Sequence, residues 1–230
     1  MQIKNRLLAA LPVETYEHLL PHFEELSFVP GDILFQAGDK IRHVYFPSKG
    51  MISLLSNTEQ GQTVELGYSS REGMVGLPIV LGRDEMPYQA MAQADTNCLR
   101  IDSQIIASYF RRGEMFQNVL LRYVSTLMKQ ISQTGVCNHF HTIEARLCRW
   151  LLVMFEHSDT NILRLTQEFF SHMLGVQRTS VGLVAGTLQS AEIIRYSRGK
   201  IQLLDRNKMK AWTCECYFIL KKEYDHFLNF

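Results

Sequence analysis

Residues 167–189, QEFFSHMLGVQRTSVGLVAGTLQ, decide how the rest of the chain is read. If Gly175 is a turn glycine, the helix before it needs small or apolar residues to seal against its successor, and Phe170, Ser171 and Leu174 supply them. After the turn, Val176, Val181 and Val184 recur where a second helix faces a core, which leaves Gln177, Arg178, Thr179 and Ser180 outward at its N-terminal end. That is the layout of a helix-turn-helix, whose second helix enters the major groove of DNA. An ordinary αα-hairpin has the same apolar spacing, so the flanks must separate the two.

Thr166 is placed as an N-cap whose oxygen and neighbouring amides lie where a phosphate would sit. Downstream, residues 193–203 (IIRYSRGKIQL) read as a β-hairpin with Arg198 and Lys200 bracketing the turn glycine, suited to backbone phosphates or, alternatively, to a solvated turn. Together they make a winged helix. Arg178 is the candidate base reader, because a planar guanidinium donates two hydrogen bonds to guanine O6 and N7. Thr179 and Ser180 can add hydroxyl contacts. From residue 161 to 212 there are eight basic and three acidic residues, a net of +5, against −2 over residues 1–60 and +1 for the whole chain. The C-terminal third is therefore the part suited to double-stranded DNA.

The N-terminal half has another rhythm. All six prolines and eight of the fourteen glycines fall between Met1 and Pro87 and punctuate short apolar runs. After a helix around 14–25, strands are expected at 32–35, 43–46, 51–56, 63–68, 88–94 and 96–101, an antiparallel sandwich or barrel. Phe116, Leu120, Tyr123, Leu127, Ile131 and Thr134 then recur at steps of three and four along one helix from Glu114 to Val136. At about 34 Å it outruns a small β domain, so its seam is expected to meet a second copy in a homodimer; a core helix of a monomer is the competing reading. Gly135–Asn138 reads as a hinge before another helix, 141–156.

Other classes find little support. The apolar patch near the N-terminus is broken by Pro12 and followed by acidic residues, so neither a leader nor a membrane span is expected. Five cysteines, an odd number, suit reduced thiols in the cytoplasm. No phosphate loop, Gly-x-Ser-x-Gly elbow or His-Glu-x-x-His motif points to an enzyme.

Several motifs in order resemble the Crp/Fnr family of regulators over nearly the whole length: Pro30-Gly31-Asp32, Gln36-Ala37-Gly38-Asp39, Val44-Tyr45-Phe46, Glu72-Gly73-Met74-Val75-Gly76, the long helix, and Val176-Gln177-Arg178-Thr179-Ser180-Val181-Gly182. The resemblance implies an α+β chain with an antiparallel, cyclic-nucleotide-binding-like β-roll (1–112), a dimerisation helix (113–137) and a winged helix-turn-helix (138–212) followed by an extension (213–230). It also implies a homodimer reading a two-fold symmetric operator, with RNA polymerase as a further partner. The alternative is a ligand-binding module that acts through a protein partner without reading DNA.

The sequence departs from the cyclic-AMP-binding members, which hold phosphate and ribose with a Gly-Glu pair and an Arg-Ser pair. Here Gly76 precedes Leu77, and Tyr88-Gln89 align with the second pair; on the long helix, Ile131 and Ser132 align with two base-contacting hydroxyls. A buried phosphate would lack its cationic partner, so the effector, if there is one, is expected not to be cyclic AMP. No cysteine precedes Cys98, which removes the N-terminal ligands of the oxygen-sensing members, and His18, His22 and His43 read as core or surface residues, not haem ligands. Cys214-Glu215-Cys216 and Cys137-Asn138-His139-Phe140-His141 lack standard zinc spacings and read as packed thiols, with a metal or redox role as the alternative. No cofactor or metal is expected.

Overall fold

A computed structural model describes residues 3–228, which form two compact units. The first comprises residues up to 54, 67–130 and 222 onward; the second comprises 55–66 and 131–221. Helices α4 (Glu114–Phe140) and α9 (Glu215–His226) and strands β4 (Ile52–Asn57) and β5 (Thr63–Ser69) each contribute to both.

The first unit opens with α1 (Arg6–Ala9) and α2 (Val13–Leu19), followed by a 3-10 turn at Leu20–His22. Strands β1 (Glu24–Phe28), β7 (Thr96–Asp102) and β3 (His43–Lys49) form one sheet in the order β1-β7-β3, both pairings antiparallel. Strands β2 (Ile33–Phe35), β6 (Gln89–Ala92), β4 (Ile52–Asn57) and β5 (Thr63–Ser69) form the second, in that order. Phe46, Met51, Ile52, Leu54 and Met74 are buried in this unit, as are Leu7, Leu8 and Leu19. Asn5 fixes the N-terminal helix to this roll. Its amide donates to the Pro47 carbonyl at 2.8 Å and the Gly73 carbonyl at 2.9 Å, and its oxygen caps α1 through Leu8 N at 3.0 Å.

Two expectations need correction here. The helix read over 14–25 ends at Leu19, because Pro21 cannot continue it, and Glu24 and Glu25 begin β1. The hinge read at Gly135–Asn138 is helical: α4 continues to Phe140, and the chain turns at His141 and Thr142 instead. Thr142 caps the next helix, α5 (Ile143–Glu156), through Ala145 N. A further helix, α3 (Ser103–Arg112), precedes α4.

The second unit continues with β8 (Ile162–Arg164), α6 (Gln167–Leu174), α7 (Arg178–Ser190), β9 (Ile194–Ser197), β10 (Lys200–Leu203) and α8 (Arg206–Trp212), and then α9. Its three-stranded sheet has the order β8-β10-β9, and α5 lies against α6, α7 and α8. Trp150 anchors the core, with ring centroids 5.4 Å from Phe170 and 5.7 Å from Phe169 and its indole N–H on Glu65 at 3.2 Å. Among the described residues, no helix is long and apolar enough to cross a membrane.

Candidate nucleic-acid interface

Helix α6 begins at Thr166, whose hydroxyl accepts from Phe169 N at 3.1 Å, and buries Phe170, Met173 and Leu174. Gly175 ends it in the left-handed conformation (φ +61°), with Val176 N bonded to Ser171 O at 3.0 Å, a Schellman closure. A Cβ here would also lie 3.2 Å from a Val64 methyl, so the turn is fitted against the tip of the β4–β5 hairpin. Three residues later, at Arg178, α7 starts, burying Val181, Val184, Ala185 and Leu188. Val176, expected on the core face, is half-buried in the turn itself. Gln177, Arg178 and Thr179 are exposed and Ser180 is half-buried, so the four expected contact residues come out together on the first turn of α7. One turn on, Leu183 projects with 76% of its surface exposed.

The wing is the β9–β10 hairpin, in which Ser197 pairs Lys200 across a two-residue turn of Arg198 (φ +48°) and Gly199 (φ +72°). Both turn residues have positive φ, the type I′ pattern that matches strand twist. Two hydrogen bonds set its position. Gln189 Oε1, on α7, accepts from Tyr196 N at 2.8 Å, and Gly199 O accepts from Leu165 N at 2.8 Å, one residue before the Thr166 cap. Thr166, Arg198 and Lys200 are thereby gathered beside α7. The short strand β8, which sequence reading missed, pairs Arg164 directly opposite Lys200. Like charges directly opposite in a sheet are destabilising unless an anion meets them.

In the first unit, Gly76 has φ +96°, and a Cβ on it would lie 2.9 Å from a Val44 methyl. The close approach is fixed by reciprocal Tyr45–Val75 backbone bonds of 2.8 and 2.9 Å. Leu77 is buried at the start of a 3-10 turn, Leu77–Leu81. Tyr88 is half-buried, and burial raises its phenol well above the ordinary range. Gln89 donates to Gln36 Oε1 at 2.8 Å. Ile131 and Ser132 belong to the second unit, half-buried and exposed respectively.

The seam expected to meet a second copy lies as follows. Phe116, Leu120, Tyr123 and Leu127 are buried in the chain's own first unit, and only Ile131 is half-buried. Tyr123 OH donates to the Met74 carbonyl at 3.2 Å and lies 3.3 Å from Ser69 Oγ, with its ring 6.3 Å from Phe227; burial pushes its hydroxyl up to about 12. The exposed apolar side of α4 is the opposite stripe, Met115, Leu121, Met128 and Val136.

Cys137, His141, Cys214 and Cys216, two separate stretches of sequence, converge in the second unit with their donor atoms all within 4.8 Å of one another.

Residues 25–113 match the cyclic nucleotide-binding domain family, and residues 145–212 match the Crp-like helix-turn-helix domain family. The cAMP-activated global transcriptional regulator CRP of Salmonella typhimurium is 22% identical over 192 residues, covering 78% of this chain and 89% of that protein. Among solved structures, a transcriptional regulator of the Crp/Fnr family from Eubacterium rectale superposes with a TM-score of 0.73 at 17% identity over 92% of this chain and 99% of that one. FixK2 from Bradyrhizobium japonicum gives 0.70 at 14%, over 84% and 98%. These likenesses carry the fold, and the two domain matches carry the relationship. The chain is a member of the Crp/Fnr family, a DNA-binding transcription regulator with a cyclic-nucleotide-binding-like domain and a Crp-like helix-turn-helix.

Proposed function

We propose that this regulator acts in the cytoplasm as a homodimer on a two-fold symmetric operator, without a catalytic step, and contacts RNA polymerase there. Arg178 reads a base, Gln177, Thr179 and Ser180 make the surrounding base and phosphate contacts, and Thr166, Arg198 and Lys200 hold the backbone. The observation that carries this reading is the exposed Gln177-Arg178-Thr179 turn above a buried Val181–Val184–Leu188 face, with the wing tied to the same helix through Gln189. Arg164 joins the phosphate set, which offsets its repulsion with Lys200. The second copy docks on the Met115–Leu121–Met128 stripe, because the opposite face of α4 is already filled.

Selection of bound sequences from a randomised duplex pool tests the reading. The expected product is an inverted repeat with half-sites about one helical turn, roughly 34 Å, apart. Failure to enrich any sequence, both with purified protein and with cell extract added as a source of effector, refutes it.

In the sensor domain, the family resemblance aligns Leu77, which is buried, with the ribose acceptor and Tyr88-Gln89 with the pair that holds the phosphate. Cyclic AMP is therefore not the effector, and calorimetry on the intact protein is expected to show no saturable binding. Saturable binding at millimolar concentration or tighter overturns this.

A further inference from the structure

Cys137 and His141 stand four residues apart at the end of α4, on one face, and the His141 amide still bonds to the Cys137 carbonyl at 3.2 Å. Cys214 immediately precedes α9, and Cys216 lies in its first turn. The Cys137 and Cys214 sulfurs are 3.5 Å apart, and the Cys216 sulfur is 3.5 Å from His141 Nδ1. All three cysteines are buried, and the His141 side chain is 18% exposed. We propose that Cys137, His141, Cys214 and Cys216 bind one zinc ion in a closed tetrahedral site that pins the end of α4 to the start of α9.

The size of the cluster selects the ion. Metal–sulfur bonds of about 2.3 Å and metal–nitrogen bonds of about 2.0–2.1 Å place tetrahedral donors roughly 3.5–3.8 Å from one another. Four donors within 4.8 Å close on a single ion with small side-chain shifts. An iron–sulfur cluster interposes bridging sulfides and needs its ligands farther apart. Three thiolates and an imidazole, with no open position, are a soft donor set suited to structural zinc.

The surroundings make the same argument independently. His141 Nε2 lies 3.2 Å from Glu215 Oε1, so Nε2–H donates to a carboxylate and the Nδ1 lone pair is left facing the sulfurs. Gln133 Nε2 donates to the Cys216 sulfur at 3.1 Å, a contact that suits a thiolate. Arg146 and Arg149, on α5, are more than nine-tenths buried, and the Nε of each finds no hydrogen-bond acceptor. Both interact electrostatically with Cys137, and Arg146 also with Cys214. Buried guanidinium groups beside neutral thiols would be uncompensated cations, whereas three thiolates around Zn²⁺ carry a net charge of −1. Packed thiols alone account for the burial of the sulfurs. They do not account for the oriented histidine or the two arginines.

The test uses full-length protein purified under reductant and without a metal-chelating tag. Elemental analysis is expected to give one zinc per chain, and replacement by Co²⁺ to give the intense visible bands of a tetrahedral thiolate site. Cys214→Ser and Cys216→Ser lose the metal, while Cys98→Ser, on β7 in the first unit, keeps it. Should the ligand variants fail to fold, the unaltered protein still decides: chelation must unmask three thiols that were protected from alkylation. Glu215→Gln, exposed and not a ligand, weakens Zn²⁺ binding about 10–100-fold. The proposal is overturned by protein that neither contains nor takes up Zn²⁺ or Co²⁺, by metal retained in both serine variants, by iron with acid-labile sulfide, or by a Cys137–Cys214 disulfide in protein as isolated.

Discussion

Replacing Arg178 by alanine separates a base reader from a fold residue, because Arg178 sits exposed at the first position of α7. Nothing of the core leans on it, so the change in stability is expected within about 0.5 kcal/mol. Binding should behave differently. A bidentate arginine–guanine pair contributes about 1–3 kcal/mol of discrimination, roughly 5–150-fold in Kd. A two-fold operator presents that pair twice, so the loss per dimer reaches about 2–6 kcal/mol if both half-sites are read alike. Fluorescence anisotropy at fixed salt, on the selected operator and on a scrambled duplex, measures the difference. The selected site should lose most of its advantage over the scrambled one, and one base position per half-site should become indifferent. Arg178→Lys keeps the charge without the planar fork and is expected to recover scrambled-site binding alone. Equal losses on the two duplexes, or full recovery by lysine on the operator, would show that Arg178 meets phosphate and that the base contacts lie elsewhere on α7.

Lys200→Ala should weaken all duplexes alike and lower the slope of log K against log salt by about 1 for each phosphate no longer neutralised; a sequence-dependent effect would contradict its place in the wing. Met128→Lys puts a charge in the middle of the exposed stripe of α4, where Met128 is 64% exposed, and should give monomers in sedimentation without lowering the melting temperature of the chain. Persistence of a dimer would move the interface to another face. Asn5→Ala leaves the Pro47 and Gly73 carbonyls without their donor and removes the α1 cap, a loss of about 2–4 kcal/mol read in denaturant melts. An unchanged midpoint would mean that water replaces the amide at no cost.

The parts of the fold visible in the sequence are those whose cause is local. Gly175 needs its left-handed φ whatever lies around it, and Val181, Val184 and Leu188 need only helical spacing, so the helix-turn-helix and its outward residues are legible without the structure. Arg198-Gly199 marks the wing turn for the same reason. Where the cause is a partner element, the pattern misleads. The spacing of Phe116, Leu120, Tyr123 and Leu127 identifies one face of α4, and periodicity says nothing about what covers it. Around Tyr123, Ser69, the Met74 carbonyl and Phe227 do so from within the chain, and Phe116, Leu120 and Leu127 are buried too, which leaves the other side of α4 for a second copy. Strand β8 has three residues, too few to show an alternation, and its value lies wholly in setting Arg164 against Lys200.

The segment after the wing shows the same division of local from non-local most sharply. Read alone, Cys214-Glu215-Cys216 is two thiols at the start of a short helix, and Cys137 with His141 is half of a site at the end of a longer one. Neither stretch has a ligand spacing to recognise, since each supplies two donors and the fold supplies their meeting. The extension from residue 213 is then no appendage to the DNA-binding domain: residues up to 221 belong to its compact unit, and residues from 222 onward belong to the first. Tyr217 hydrogen-bonds Glu156 on α5, and Lys221 lies 3.5 Å from the same carboxylate. On α4, Gln130 accepts from Tyr68 N at 2.8 Å and donates to Tyr224 OH at 2.9 Å. A chain ending at Trp212 would keep every residue proposed to touch DNA and yet lack two of four donors beside two buried arginines.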